Sequence, residues 1–133
     1  MSEEFKLEII NPEKLFLTKE NVVQVVIPAF EGEMGILRNH ISIISFLKPG
    51  VLKIFTKSDE DKYYIEDGIV EFKDNNLSIL TSNIIKMSEF DKSKIEDFIR
   101  EAESEINKNN ELDDQKKYLI NQKIETLKTL SIN

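Results

Sequence analysis

Hydrophobic positions alternate with period two along the first two thirds of the chain, then switch to a helical period. Phe5, Leu7 and Ile9 interleave with Lys6 and Glu8, which puts one apolar face on a strand. Asn11-Pro12 marks a turn. Leu15-Phe16-Leu17 follows, Thr18 to Asn21 breaks it, and the β-branched run Val22 to Ile27 stops at Pro28. Ile41, Ile43 and Ile44 lead into the turn Leu47-Lys48-Pro49-Gly50. Val51, Ile54 and Phe55 precede a charged tip, Ser58 to Asp61. Tyr63 to Ile65 and Gly68 to Phe72 flank a hairpin turn at Asp67-Gly68, and Asp74 to Asn76 turns the chain into Leu77, Ile79 and Leu80. Eight or nine short strands at this spacing predict a sandwich or flattened barrel.

From Ser88 onward the pattern is helical. Ser88 or Asp91 is a candidate N-cap. Ile95, Phe98, Ile99, Ala102 and Ile106 fall on one stripe. Asn107 to Asn110 breaks it, and Leu112, Leu119, Ile120, Ile124, Leu127 and Leu130 form a second stripe. Two amphipathic helices joined by a short polar break predict an antiparallel hairpin. The division is residues 1–87 and 88–133. Charged residues are 24 of 87 in the first part and 19 of 46 in the second, as expected when a compact core gives way to exposed helices.

The stretch Pro28 to His40 stands out. It holds two of the four glycines, Gly32 and Gly35, and the single histidine. Glu31-Gly32 predicts a turn, and the whole stretch is expected as a sharply bent acidic loop between strands.

Composition narrows the function. The 133 residues carry a net charge of −7, which disfavours nucleic acid and anionic lipid as partners. There is no cysteine, hence no disulfide, thiolate nucleophile or Cys-based zinc site. The acidic start Met1-Ser-Glu-Glu-Phe lacks the apolar run of a signal peptide, and no stretch approaches the ~18 apolar residues of a membrane helix. Membrane contact is expected only through a partner.

Catalytic chemistry is sparse. His40 has no second histidine or cysteine to share a transition metal with, so a local hydrogen bond is its expected role. Glu31 and Glu33, two apart, are expected as solvated acids on one face rather than an acid/base pair. No Walker loop, Gly-x-Ser-x-Gly, His-Glu-x-x-His or Gly-x-Gly-x-x-Gly occurs. The chain is therefore not expected to be an enzyme, and neither cofactor nor metal is expected.

Pro28, Glu31-Gly32, Gly35-Ile36-Leu37 and His40, followed by Leu47-Lys48-Pro49-Gly50 and Gly68-Ile-Val-Glu71, resemble the epsilon subunit family of rotary F-type ATP synthases. The likeness extends through the helical part by pattern. It implies a flattened antiparallel β-sandwich of about ten strands followed by a two-helix hairpin. It implies a rotor subunit of the central stalk at the cytoplasmic face of a bacterial membrane. Such a subunit binds the gamma shaft and rests on the c-ring. Its hairpin is a possible inhibitor of ATP hydrolysis that can reach the alpha/beta catalytic head. In the family the Glu-Gly-x-x-Gly region faces the c-ring. Carried over, this places Glu31, Gly32, Glu33, Met34, Gly35 and His40 near the ring. Some members bind ATP through Ile/Leu-Asp-x-x-Arg-Ala. Here Asp97 and Arg100 keep the spacing, but Glu96 and Glu101 depart from it, and the charge of Glu101 opposes a phosphate. ATP binding is not expected. Ala29 for a usual glycine and Ile41-Ser42 for an Ala-Pro pair are further departures. The rival reading is a free-standing sandwich in which Phe30, Met34 and His40 line a small-molecule pocket.

Overall fold

The structure, a computed structural model, describes residues 3–108 and 113–132. Asn109, Asn110 and Leu112, assigned above to the helix break and the second stripe, lie outside the described residues. The chain divides into two compact units, 1–86 and 87–133.

The first unit has nine strands: β1 (Phe5–Asn11), β2 (Lys14–Ala29), β3 (Gly32–Leu37), β4 (Ile43–Leu47), β5 (Gly50–Thr56), β6 (Glu60–Ile65), β7 (Gly68–Lys73), β8 (Asn76–Leu80) and β9 (Ile84–Lys86). They join in the order β1-β8-β7-β4-β2-β5-β6-β9, with β3 on β2 and a further β1–β2 pairing that closes part of the path on itself. The result is a flattened sandwich around one core. The expected antiparallel sandwich is found, with one parallel pair, β1–β8, among otherwise antiparallel pairs.

Two expected segments, Leu15–Leu17 and Val22–Ile27, are one strand. The polar residues Thr18 and Lys19 did not break it because β1 pairs there, Glu8 with Thr18 and Leu7 with Lys19. Lys19 Nζ also meets Asp61 Oδ2 at 3.1 Å. The first half of β2 is held by β1 and the second half by β3 and β5, so one long strand serves both sides of the sandwich. Three-residue β9 went unseen, too short for a period to register.

The core is built from the inward positions of the alternating strands: Leu7, Ile9, Val25, Ile27, Ile36, Leu52, Ile54, Phe72 and Ile79 are essentially fully buried. Phe5 and Phe72 meet edge to face at 5.6 Å, a favoured aromatic geometry. Gly50 is required by close approach. A Cβ there would stand 2.6 Å from Pro28 Cβ, so only glycine lets the Leu47–Gly50 turn seat against the end of β2.

The second unit is a helical hairpin, α1 (Lys92–Lys108) and α2 (Asp114–Ile132), preceded by a single 3₁₀ turn at Met87–Glu89. Of the two candidate caps, Asp91 is the one used: its carboxylate accepts from the Lys94 amide at 2.9 Å. Asp113 caps α2 in the same way through the Lys116 amide at 2.7 Å. The stripes meet as expected. Ala102 packs with Ile120 and Ile124, with Ile106 beside them, and Phe98 lies edge-on to Phe90 at 5.2 Å. Alanine at the crossing lets the helices approach but leaves little apolar bulk between them.

Candidate functional site

Pro28 to His40 is not a loop. It is a two-residue hairpin turn, Phe30-Glu31, followed by strand β3 and a second tight turn at Arg38-Asn39. The expected bent loop is corrected because Gly32 to Leu37 pairs residue for residue with Ala29 to Gln24. Main-chain pairing overrode a stretch too rich in glycine and charge to look like a strand. Gly32 takes φ +131°, a backbone region that disfavours a side chain, and this is what lets a two-residue turn close.

Within that frame the singled-out residues separate into two groups. Glu31 is exposed at the turn, and exposed Glu33 stands 4.0 Å from Lys53 on β5. Met34 faces inward and packs against the core, while Gly35 is exposed in mid-strand. His40 lies beyond the other end of β3. Roughly 17 Å of strand separates Gly32 from Leu37 at ~3.4 Å per residue. The His40 ring is edge-on to Phe72 at 6.0 Å, and its Nδ1 is 2.8 Å from the Ile41 carbonyl. His40 thus makes the local hydrogen bond expected of it, and it does not join Glu31 and Glu33 in one cluster. Phe30, at the exposed tip, and His40, beyond the far end of β3, are likewise separated by the length of that strand.

The tip leans on β4. The Phe30 amide donates to the Phe46 carbonyl at 3.2 Å, and the Lys48 amide donates to the Pro28 carbonyl at 3.0 Å. Next to that contact begins a feature the sequence reading missed. Phe46 pairs with Ile69, Ile69 with Leu80, Leu80 with Ile10, and Ile10 with Leu15 across a bulge. Paired residues point to the same side of a sheet, so these five form one apolar row crossing five strands on its outer face. Phe46 is 59% exposed, Leu15 55%, Leu80 46% and Ile69 43%. Ile44, two residues before Phe46, adds a further side chain at 70%. Contiguous exposed apolar surface of this kind marks a contact site.

A signal for it exists in the sequence. Ile9-Ile10, Leu15-Phe16, Ile43-Ile44, Phe46-Leu47, Ile69-Val70 and Ile79-Leu80 are apolar doublets interrupting the alternation. In each, one member faces the core and the other lies on this outer face. Doublets on adjacent strands mean a sheet that is apolar on both sides.

On the helical unit, Asp97 and Arg100 form an exposed ion pair with one another, one turn apart on α1. Glu101 beside them is exposed. Among the described residues no three His, Cys, Asp or Glu side chains are grouped so as to hold a metal ion, and no helix is long and apolar enough to cross a membrane.

This geometry is matched in known proteins. A family model for the beta-sandwich domain of the ATP synthase delta/epsilon chain matches residues 4–87. The chain is 66% identical over 131 residues to the ATP synthase epsilon chain of Pelagibacter ubique, spanning 98% of this chain and 100% of that one. It is 39% identical over 108 residues to the epsilon chain of Dichelobacter nodosus, covering 80% and 74% respectively. In fold it is similar to a chain in the cryo-EM structure of the Euglena gracilis mitochondrial ATP synthase, OSCP/F1/c-ring in rotational state 1. That similarity has a TM-score of 0.79 at 24% identity, covering 97% of this chain and 81% of the other. By its sandwich and by a relative that aligns along nearly its whole length, the chain belongs to the ATP synthase delta/epsilon chain family.

Proposed function

We propose that the chain acts as a non-catalytic rotor subunit of the central stalk, coupling rotation of the c-ring to ATP synthesis in the catalytic head through the gamma subunit. The observation that carries this is the outer apolar row from Phe46 to Leu15, ending beside the acidic tip at Glu31. An open row of side chains on a rigid sheet suits a protein partner rather than a small molecule, which needs a concave site. The row is the seat of gamma. The Glu31–Gly35 tip, with Glu31 and Glu33 in solvent, faces the c-ring and meets its basic groups, giving register and orientation more than affinity. His40, at the far end of β3, braces the strand rather than touching the ring.

The hairpin is the regulatory part. The cluster between its helices is small, so neither a folded nor an extended arrangement is deeply stable, and a partner can bias between them. Extended, it reaches the alpha/beta head and restrains ATP hydrolysis. ATP itself is not a ligand, because Asp97 and Arg100 already satisfy each other and Glu101 repels phosphate. The protein associates with the membrane peripherally, at the cytoplasmic face of a bacterial cell, as part of the complex.

Co-purification tests the reading. The tagged full chain expressed in its native host brings down gamma and the catalytic head, and a form truncated after Met87 still does so but with faster ATP hydrolysis. A tagged chain that recovers neither gamma nor the head overturns it.

A further inference from the structure

The end of β4 opposite the acidic tip is tied down by side chains that neither the core nor the apolar row requires. Asn39, in the turn between β3 and β4, donates its amide to Asn75 Oδ1 at 2.7 Å. Asn75, in the turn between β7 and β8, returns a bond from Nδ2 to Asn39 Oδ1 at 3.2 Å. Both residues sit in left-handed backbone, φ 67° and 58°. Glycine would serve such turns with less strain. Asparagine tolerates the conformation and adds a side-chain amide that can reach across.

Further bonds converge on the same corner. The Lys6 amide donates to the Asn75 carbonyl at 3.1 Å, Arg38 Nη1 to the Glu4 carbonyl at 3.3 Å, and the His40 amide to the Leu37 carbonyl at 3.1 Å. With the His40 ring against Phe72, the segment Arg38–His40 is anchored to Glu4 just before β1, to β3, to β7 and to the β7–β8 turn. The chain leaves this corner directly into Ile41, 76% exposed, and reaches Ile44 three residues later. The reciprocal Asn bonds are exposed, and exposed hydrogen bonds exchange with water at little net gain in stability. Their main effect is order.

We propose that the Asn39–Asn75 clasp is a positioning device for the docking face. It holds the β3–β4 connection, and exposed Ile41 within it, next to Ile44, which its pairing with Glu71 already fixes, sparing the partner the cost of ordering that connection. This rests on reading the outer face of β4, β7 and β8 as the seat of gamma.

The test measures binding of purified gamma subunit to the full chain, with melting temperatures recorded in parallel. Asn75→Gly keeps a residue at ease in left-handed backbone and removes both clasp bonds. It is expected to weaken gamma binding about three- to tenfold. Asn39→Gly loses only the longer bond and weakens it less. The double variant binds no worse than Asn75→Gly alone, because both changes remove one clasp. Unchanged affinity in Asn75→Gly, even with a lowered melting temperature, overturns the proposal, as do additive losses in the double variant. Should Asn75→Gly fail to fold, unchanged affinity in Asn39→Gly overturns it equally. Phe46→Asp separates the two levels. If it abolishes binding while Asn75→Gly does not weaken it, the clasp fails and the face stands. If Phe46→Asp binds normally, the face fails and the clasp with it.

Discussion

The sandwich and the hairpin use the same residue types to opposite effect. In the sandwich, seventeen buried side chains from eight strands share one core, many of them fully sealed from solvent. In the helical unit, the cluster between the helices is Ala102, Ile120 and Ile124, with Ile120 still 9% and Ile124 8% exposed, and the other buried apolar side chains described there, Phe90, Ile95 and Leu127, lie outside that cluster. Stability from packing grows with the apolar area removed from water, so the first unit is a rigid platform and the second a marginal one. A part that must hold a neighbour in fixed register needs the former. A part that must change its contacts needs the latter.

Substitutions sharpen this contrast. Phe72→Ala, at the centre of the sandwich and against Phe5 and His40, is expected to cost about 3–5 kcal/mol in urea unfolding. Ile120→Ala removes a larger share of a smaller cluster. It is expected to cost the hairpin about 2 kcal/mol, seen as lost helical circular dichroism with the sandwich transition unmoved. A common transition for both would mean that the two units do not differ as described. Asp91→Ala, which strips the α1 cap, costs about 1 kcal/mol and frays that helix from its start. The pair Glu31→Lys and Glu33→Lys shifts stability by no more than about 0.5 kcal/mol, as expected of exposed charge, yet lowers coupling of proton flow to ATP synthesis in membrane vesicles. Smallest of all, titration with ATP gives no heat of binding below the millimolar range, and a micromolar constant would show that Asp97 and Arg100 part to take a nucleotide.

Most strands and both helices were legible because their hydrophobic periods are clean. The exceptions have physical causes. β3 was hidden because Gly32, Glu33 and Gly35 lack strand propensity, and its pairing with β2 comes from the turn that Gly32 permits. The continuity of β2 was hidden because Thr18 and Lys19 look like a break until β1 supplies a partner. The parallel β1–β8 seam follows from long-range topology, which local pattern does not encode. At the candidate site, the acidic tip was legible from Glu31-Gly32. The apolar row was not, since its members are scattered from Ile10 to Leu80 and only strand register brings them into line. The doublets recorded it in plain sight, but a doublet identifies a second apolar face only once the strands on either side are known.

The outer row is the element on which partner binding depends, and the affinity of purified gamma for two charge-introducing variants tests this most directly. Phe46→Asp, in the row, should weaken binding about 100-fold, as burying an unpaired charge in an interface does. Lys62→Asp, on β6 away from the row, should leave it within about threefold, as a rim charge does. Equal affinities for the two would contradict the assignment of this face to gamma.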